Sequence, residues 1–299
     1  MPKPELIAGL LEIQDRFDGL IVDQWGVLHD GTAFYPAALE ALERLRVAGK
    51  RIVLLSNSGR RLAFNRHRLA RMGLPDGLVE QVVTSGEVAW SMLRARHDEP
   101  FRSLGRRCFL WTEGEDRGVI DDLALTTVDA PAEADFVLLA GLPQGLRPDD
   151  LRPDLEAARA RDLMMICCNP DRIVVTAFGV IPATGSVAAL YEELGGRVHY
   201  VGKPHPLVYR ICLGALEPIP KERILAVGDS LEHDIAGGAA AGLGTVMITT
   251  GIHAAEIDPG ADEPALRAAV ERLSAAHGVC PDYVLARFIW TGAACGGRP

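Results

Sequence analysis

The stretch GLIVDQWGVLHDG, residues 19–31, begins as a continuous apolar run and ends as a polar loop that carries two glycines. A short apolar run bounded by turn residues is typical of a fully buried strand. Asp23 stands where this strand ends, and Trp25 follows two positions later. The stretch therefore predicts a carboxylate displayed at a strand end, with a bulky apolar side chain close beside it.

Similar apolar runs alternate with helical segments along the rest of the chain. In the segment 35–49, Leu39, Leu42 and Leu45 recur at helical spacing, and Gly49 ends the pattern. Further strands are predicted in RIVLLSNSG at 51–59 and in RILAVGD at 223–229. Buried strands separated by helices are typical of a parallel sheet that is covered on both faces. The sequence therefore predicts an α/β fold built on a doubly wound parallel sheet.

Composition and charge exclude some classes of partner. The chain has 299 residues, with 31 Lys and Arg, 40 Asp and Glu, and a net charge of −9. A length of this order predicts one large domain or two smaller ones. The acidic balance argues against nucleic acid or an anionic membrane as the main partner, because binding phosphates over a whole face needs positive charge.

No apolar run approaches the ~18 residues of a membrane-spanning helix. The first residues also lack the pattern of a signal peptide. The sequence therefore predicts a cytoplasmic protein. We expect its six cysteines to be buried and reduced, because none forms a CxxC pair; they are Cys108, Cys167, Cys168, Cys212, Cys280 and Cys295.

Polar residues of complementary chemistry follow four of the predicted strands. Ligands of an open parallel sheet bind beyond the carboxyl ends of its strands. Taken singly, each residue is weak evidence, because a polar residue commonly ends a strand and often caps the next helix. Taken together they fit phosphoryl chemistry with a hard divalent cation. They are Asp23, the run Ser56, Asn57 and Ser58, then Lys203, and finally Asp229 with Asp234.

These segments also resemble, in the same order, the four motifs of the haloacid dehalogenase superfamily of aspartate-nucleophile hydrolases. The resemblance covers nearly the whole chain, and its third and fourth motifs look most like the class IIA (NagD-like, nitrophenylphosphatase-like) phosphatases. The four segments are DQWGVLHDG at 23–31, LLSNSGR at 54–60, VGKPHP at 201–206 and VGDSLEHDIAGGAAAGLGTV at 227–246.

The resemblance implies a Rossmann-like core over residues 1–97 and 198–299, with an inserted α/β cap of the C2 type over residues 98–197. Such a cap sets substrate specificity. Because related caps can dimerise, the resemblance also allows a homodimer. The implied substrate is a small phosphorylated metabolite of the sugar, nucleotide, glycolate or aryl phosphate class.

The resemblance also implies roles for individual residues. Asp23 would be the nucleophile that forms an aspartyl phosphate. Asp23, Asp229 and the backbone carbonyl of Trp25 would bind Mg²⁺, and Asp234 would hold a metal-bound water. Ser56 would bind a phosphoryl oxygen through its hydroxyl group.

Further residues would contact the substrate. The Asn57 N–H would bind a second phosphoryl oxygen, and Lys203 would lie between the phosphoryl group and Asp23. In addition, Ser58, Arg60, Asn169 and Asp171 are predicted substrate-binding residues, whereas His29, Asp30 and His233 are interpreted as structural.

Trp25 occupies the position at which most phosphatases of this superfamily carry a second aspartate, the general acid and base. An indole can donate a hydrogen bond but cannot transfer a proton in this way. Three hypotheses therefore remain open. The first is a Mg²⁺-dependent phosphatase whose acid lies elsewhere or whose leaving group needs none. The second is a metal-independent, dehalogenase-like hydrolase, and the third is a phosphate-ligand binding or regulatory protein with weak activity.

Overall fold

Strands and helices alternate along the chain, as the sequence predicts. The computed structural model describes residues 3–176, 179–258 and 261–291. Within these ranges the strands are β1 (Glu5–Leu6), β2 (Gly19–Val22), β3 (Arg51–Ser56), β4 (Gln81–Thr84), β5 (Arg107–Trp111), β6 (Thr126–Val128), β7 (Phe136–Leu139), β8 (Met164–Cys167), β9 (Ile173–Thr176), β10 (Gly179–Pro182), β11 (Arg197–Tyr200), β12 (Ile224–Gly228), β13 (Gly244–Ile248) and β14 (Tyr283–Leu285). The α-helices are α1 (Pro36–Val47), α2 (Leu62–Arg71), α3 (Ser85–Ala95), α4 (Arg152–Ala160), α5 (Thr184–Glu193), α6 (Pro206–Leu216), α7 (Ala236–Ala240) and α8 (Glu263–His277).

The helix ends follow local sequence chemistry. Helix α1 begins at Pro36, whose fixed φ suits the first turn, and the chain leaves it through Gly49 at φ +76°. Helix α8 is capped by Asp262, whose side chain accepts a hydrogen bond of 2.9 Å from the Ala265 N–H. It ends at His277, and the C-cap residue Gly278 adopts the left-handed conformation.

The first sheet has the strand order β1-β14-β13-β12-β2-β3-β4, and its pairings from β1 through to β3 are parallel. In the register of the central strands, Val22 of β2 lies opposite Leu54 of β3 and Val227 of β12. All four residues of β2 are buried, as expected for a strand covered on both faces. The parallel, helix-flanked sheet that the sequence predicts is therefore confirmed.

A second sheet has five parallel strands in the order β11-β8-β7-β5-β6. Its hydrophobic core includes Val137 and Leu139 of β7, together with Leu155 of α4 and Tyr191 of α5. Strands β9 and β10 pair with each other as a separate antiparallel hairpin.

The chain divides into two compact units. The first takes in Met1–Ser56, His67–Val82 and Tyr209–Pro299, and the second takes in Asn57–Arg66 and Val83–Val208. The assignment of residues 98–197 as a substrate-specificity cap stays a prediction. In the part of the chain that the structure describes, no helix combines the length and the apolar character that crossing a bilayer requires.

The described cysteines are all free thiols, and four of the five are buried. Burial raises the pKa of Cys108 to about 11 and that of Cys167 to about 12, so neither forms a thiolate readily at neutral pH. This agrees with the interpretation of these cysteines as buried core residues. Cys295 lies outside the described residues.

Asp18 links the starting ends of three central strands. Its backbone N–H donates to the Arg223 carbonyl (2.8 Å), and its carbonyl accepts from the Arg51 N–H (2.9 Å). Its carboxylate accepts hydrogen bonds from both Nε and Nη2 of Arg223, and Lys50 Nζ lies 3.4 Å away. Since Asp18, Arg51 and Arg223 directly precede or begin β2, β3 and β12, these bonds hold the three strands in register.

We expect Asp18→Asn to lower the free energy of unfolding by roughly 0.5–1 kcal/mol at pH 7, because a partly exposed ion pair is screened by solvent. The hydrogen bonds from Arg223 lower the pKa of Asp18 from 3.8 to about 2. The stabilisation is therefore complete above pH 4 and is lost as the pH falls towards 2. Urea unfolding followed by circular dichroism at pH 7 and pH 2.5 tests this, with the exposed Asp76→Asn as the control. A deficit as large at pH 2.5 as at pH 7 would contradict the assignment.

Candidate active site

Three carboxylates meet beyond the carboxyl ends of β2 and β12. Oxygen atoms of Asp23, Asp229 and Asp234 all lie within 4.8 Å of one another. The three residues are buried, with exposed fractions of 9%, 8% and 4%. Asp23 directly follows β2 and Asp229 directly follows β12, so the pairing of these two strands brings the first two acids together.

Asp234 reaches this cluster because the chain turns back after Asp229. Residues Leu231–Ile235 form a π-helical turn, a rare conformation that is frequent at functional sites. The Ser230 N–H donates to Asp234 Oδ2 (3.1 Å), and the Ser230 hydroxyl accepts from the His233 N–H (3.2 Å). Gly228 leaves the space for this carboxylate, because a Cβ at that position would lie 2.0 Å from Asp234 Cγ.

Backbone atoms of two glycines surround the carboxylate of Asp229. A Cβ on Gly26 would lie 2.3 Å from Asp229 Oδ2, and a Cβ on Gly251 would lie 1.9 Å from it. Gly26 also has a φ of +81°, which favours glycine. The Ile252 N–H donates to the same Oδ2 at 2.8 Å. Gly251 belongs to none of the predicted site motifs, and its place shortly after β13 was the available indication in the sequence.

The donor set fits a hard divalent cation. Three buried carboxylates so close together repel one another, and oxygen ligands of this kind suit Mg²⁺ or Ca²⁺. No side-chain nitrogen or sulfur belongs to the cluster of described residues, which disfavours a zinc site of the usual composition. We therefore treat Asp23, Asp229 and Asp234 as the candidate metal centre.

The loop after Asp23 folds on itself. The Gly26 N–H donates to the His29 carbonyl (2.9 Å), and His29 Nδ1 accepts from the Gly31 N–H (3.1 Å). Burial, together with the nearby Arg68 guanidinium, lowers the pKa of His29 to about 4, so its imidazole is neutral at pH 7. Asp30 accepts hydrogen bonds from the N–H groups of Thr32 and Ala33. His29 and Asp30 thus take part in the hydrogen bonds that shape this loop, and their interpretation as purely structural residues stays a prediction.

Ser56 is the last residue of β3 and belongs to the first unit. The second unit begins with Asn57, and the Ser58 carbonyl there accepts a hydrogen bond from the Gly86 N–H (2.9 Å). The backbone packs closely at this point, because a Cβ on Gly59 would lie 1.9 Å from the Ala140 carbonyl oxygen. The residues after Ser56 are therefore held in a tight turn.

The Asn57 side chain connects three of the residues predicted from the sequence. Its Oδ1 accepts from the Lys203 N–H (2.7 Å), and its Nδ2 donates to Asp171 Oδ1 (2.7 Å). Asn169 Oδ1 in turn accepts from the Asp171 N–H (2.9 Å). Asn57 and Lys203 are both buried. Within the second unit, Asn57, Asn169, Asp171 and Lys203 thus form one connected group.

The two arginines after this turn are bound by acids of the same unit. Arg60 forms ion pairs with Asp116 (3.1 Å) and Glu113 (3.3 Å). Arg61 forms one with Glu87 (2.6 Å), and its guanidinium carbon lies 3.7 Å from the centroid of the Trp90 ring. A substrate contact by Arg60 would require it to exchange an acidic partner for the substrate, and this contact stays a prediction.

Two family models match the chain. A model described as haloacid dehalogenase-like hydrolase matches residues 20–126, and one described as HAD-hydrolase-like matches residues 200–276. The first match contains Asp23 and Ser56, and the second contains Lys203, Asp229 and Asp234. The residues between the matches fall in the second unit.

Curated relatives align along most of the chain. Chronophin of Mus musculus is 32% identical over 257 residues, which cover 83% of this chain and 86% of that protein. The ribonucleotide monophosphatase NagD of Escherichia coli (strain K12) is 31% identical over 239 residues, which cover 78% of this chain and 88% of that protein.

Solved structures share the fold. A haloacid dehalogenase-like hydrolase from Brucella suis has a TM-score of 0.78 and 30% sequence identity, covering 97% of this chain and 100% of that one. Glycerol phosphate phosphatase of Mycobacterium tuberculosis, solved in complex with calcium, has a TM-score of 0.62 and 26% identity, covering 80% and 68%. From these similarities and the two matched models, the chain belongs to the haloacid dehalogenase superfamily of hydrolases, in its NagD-like class IIA.

Proposed function

We propose that this protein is a Mg²⁺-dependent phosphatase that hydrolyses a small phosphorylated metabolite through an aspartyl phosphate on Asp23. The observation that carries the proposal is the buried cluster of Asp23, Asp229 and Asp234. Membership of a hydrolase superfamily whose relatives include phosphatases supports the same reaction class.

The metal would be held by Asp23, Asp229 and the backbone carbonyl of Trp25, with Asp234 acting through a bound water. When bound, the cation supplies positive charge that offsets the negative charge of the nucleophile and of the transferring phosphoryl group. The carboxylate of Asp229 is held for this role by the Ile252 N–H, and that of Asp234 by the Ser230 N–H.

Asp23 performs the chemistry in two displacements. Its carboxylate oxygen attacks phosphorus, and the bond between phosphorus and the leaving oxygen breaks, with the electron pair going to that oxygen. Water then attacks the phosphorus of the aspartyl phosphate, and the bond between phosphorus and the Asp23 oxygen breaks. This releases phosphate, restores the Asp23 carboxylate and passes the proton of the attacking water to solvent. In-line positioning and charge stabilisation do most of the work in such a transfer.

The phosphoryl oxygens would be bound by the Ser56 hydroxyl and the Asn57 N–H, and Ser58 would contact the same group. Lys203 would offset the repulsion between the phosphoryl group and Asp23. Arg60, Asn169 and Asp171 are proposed to contact the rest of the substrate. The hydrogen bonds that join Asn57, Asp171 and Lys203 support a shared role for these residues.

The other two hypotheses fit less well. A metal-independent dehalogenase has no use for two further carboxylates beside its nucleophile, and this chain keeps both Asp229 and Asp234. A binding or regulatory protein would show no turnover that depends on Asp23, so the activity of the Asp23→Asn variant distinguishes it from a phosphatase. The substrate class, the cytoplasmic location and the homodimer stay predictions from the sequence.

The proposal is tested with p-nitrophenyl phosphate, assayed with Mg²⁺ and with a chelator. We expect Asp23→Asn to lower kcat by roughly 10³-fold or more, because it removes the nucleophile. Asp229→Asn should raise the Mg²⁺ concentration for half-maximal activity by at least about tenfold, since it removes a metal ligand. Asp76→Asn, which changes an exposed acid in the same unit, should behave as wild type.

Metal-independent release of halide from a haloacid would overturn the proposal in favour of a dehalogenase. Tight phosphate-ligand binding without Asp23-dependent turnover would overturn it in favour of a binding protein.

The absence of a proton donor at position 25 generates a second prediction. Trp25→Asp supplies a carboxyl group that Trp25→Asn lacks, while both variants lose the indole. For each variant, kcat/KM for glycerol phosphate is divided by kcat/KM for p-nitrophenyl phosphate. We expect this ratio to be about 10²-fold higher in Trp25→Asp than in Trp25→Asn. This is the lower end of a general acid–base contribution, and the aryl leaving group has little need of it. Equal ratios would show that position 25 does not face the leaving oxygen.

A further inference from the structure

The indole ring of Trp25 packs against the backbone of its own loop. A Cβ on Gly31 would lie 2.3 Å from Trp25 Cη2 and 2.4 Å from Cζ3. No side chain larger than hydrogen fits between them, and Gly31 also has a φ of +93°, which favours glycine. The loop therefore closes directly onto the tryptophan ring.

The guanidinium group of Arg68 contacts both the Trp25 ring and the Gly31 backbone. The guanidinium carbon of Arg68, on α2, lies 5.3 Å from the centroid of the Trp25 ring, within the range of a cation–π interaction. Arg68 Nη2 also donates a hydrogen bond of 2.9 Å to the Gly31 carbonyl. A planar group with several donors can make both contacts at once, which a lysine ammonium cannot do as well.

The closed loop begins at the nucleophile. Asp23 and Trp25 are two residues apart, and the Asp23 N–H is bonded to the Val227 carbonyl of β12 (2.9 Å). His29 packs edge-to-face on the Trp25 ring, with centroids 6.1 Å apart. The side chain of Trp25 thus fixes the course of the backbone immediately after Asp23, where its carbonyl is the proposed metal ligand.

We propose that Arg68 is a positioning residue for this site. Acting through the Trp25 ring and the Gly31 carbonyl, it holds the Trp25 backbone in the place from which the carbonyl binds the metal. This inference rests on the proposed Mg²⁺-dependent function. It also assigns a role to Trp25, whose ring supports the metal-binding loop from inside.

The test compares Arg68→Met, which keeps an apolar stem, with Arg68→Lys, which keeps the charge. We expect Arg68→Met to raise the Kd of Mg²⁺, measured by isothermal titration calorimetry without substrate, and the Mg²⁺ concentration for half-maximal activity, each about tenfold, the lower end of what outer partners of metal ligands contribute. It should lower kcat by a similar factor and leave KM for p-nitrophenyl phosphate within about twofold. Arg68→Lys should recover part of the loss, and Arg71→Met, at the exposed end of the same helix, should behave as wild type.

A double-mutant cycle tests whether Arg68 acts through Trp25. If the two residues form one unit, Arg68→Met combined with Trp25→Leu should raise the Mg²⁺ requirement no more than the larger single change does. Each variant is first checked by circular dichroism without Mg²⁺, because a partly unfolded variant would also require more Mg²⁺.

Normal Mg²⁺ half-saturation in Arg68→Met, or strictly additive effects in the cycle, would overturn the inference while wild-type turnover stays intact. Absence of Mg²⁺-dependent turnover in the wild-type protein would instead overturn the proposed function, and the inference with it.

Discussion

Repulsion among three buried carboxylates is the constraint on which the site depends. Oxygens of Asp23, Asp229 and Asp234 lie within 4.8 Å of one another. At an effective dielectric constant of about 20, each such pair of ionised groups repels by at least about 3.5 kcal/mol. Hydrogen bonds from the Ser230 and Ile252 N–H groups offset part of this cost. A divalent cation offsets much more, so metal binding and the stability of this part of the fold are coupled.

The fold meets this constraint mainly with backbone atoms. Parallel pairing of β2 with β12 places Asp23 and Asp229 side by side. Gly26 and Gly251 then let two loops approach Asp229 more closely than any Cβ would allow. The first of these loops is supported from inside by Trp25. Substitutions at small residues around the acids should therefore affect metal binding even though these residues carry no functional group.

The parts of the molecule that local patterns encode were predictable from the sequence. Asp23 and Asp229 end continuous apolar runs, and such runs indicate the central strands of a parallel sheet. The π-helical turn that brings Asp234 back to Asp229 has no periodic pattern, and a helix of ordinary pitch was the natural expectation. Arg68 reaches Trp25 from a separate helix, in a contact that depends on tertiary packing. For the same reason, the ion pairs of Arg60 could not be foreseen.

If Asp23 is the nucleophile, the phosphoryl group must be bound to it during turnover, and its location can be measured. Wild-type protein would be mixed with p-nitrophenyl phosphate and Mg²⁺, quenched in acid within one turnover and digested for tandem mass spectrometry. We expect one added phosphoryl group on Asp23, and none in the Asp23→Asn variant. A phosphoryl group on any other residue, or rapid turnover with no covalent adduct, would contradict it.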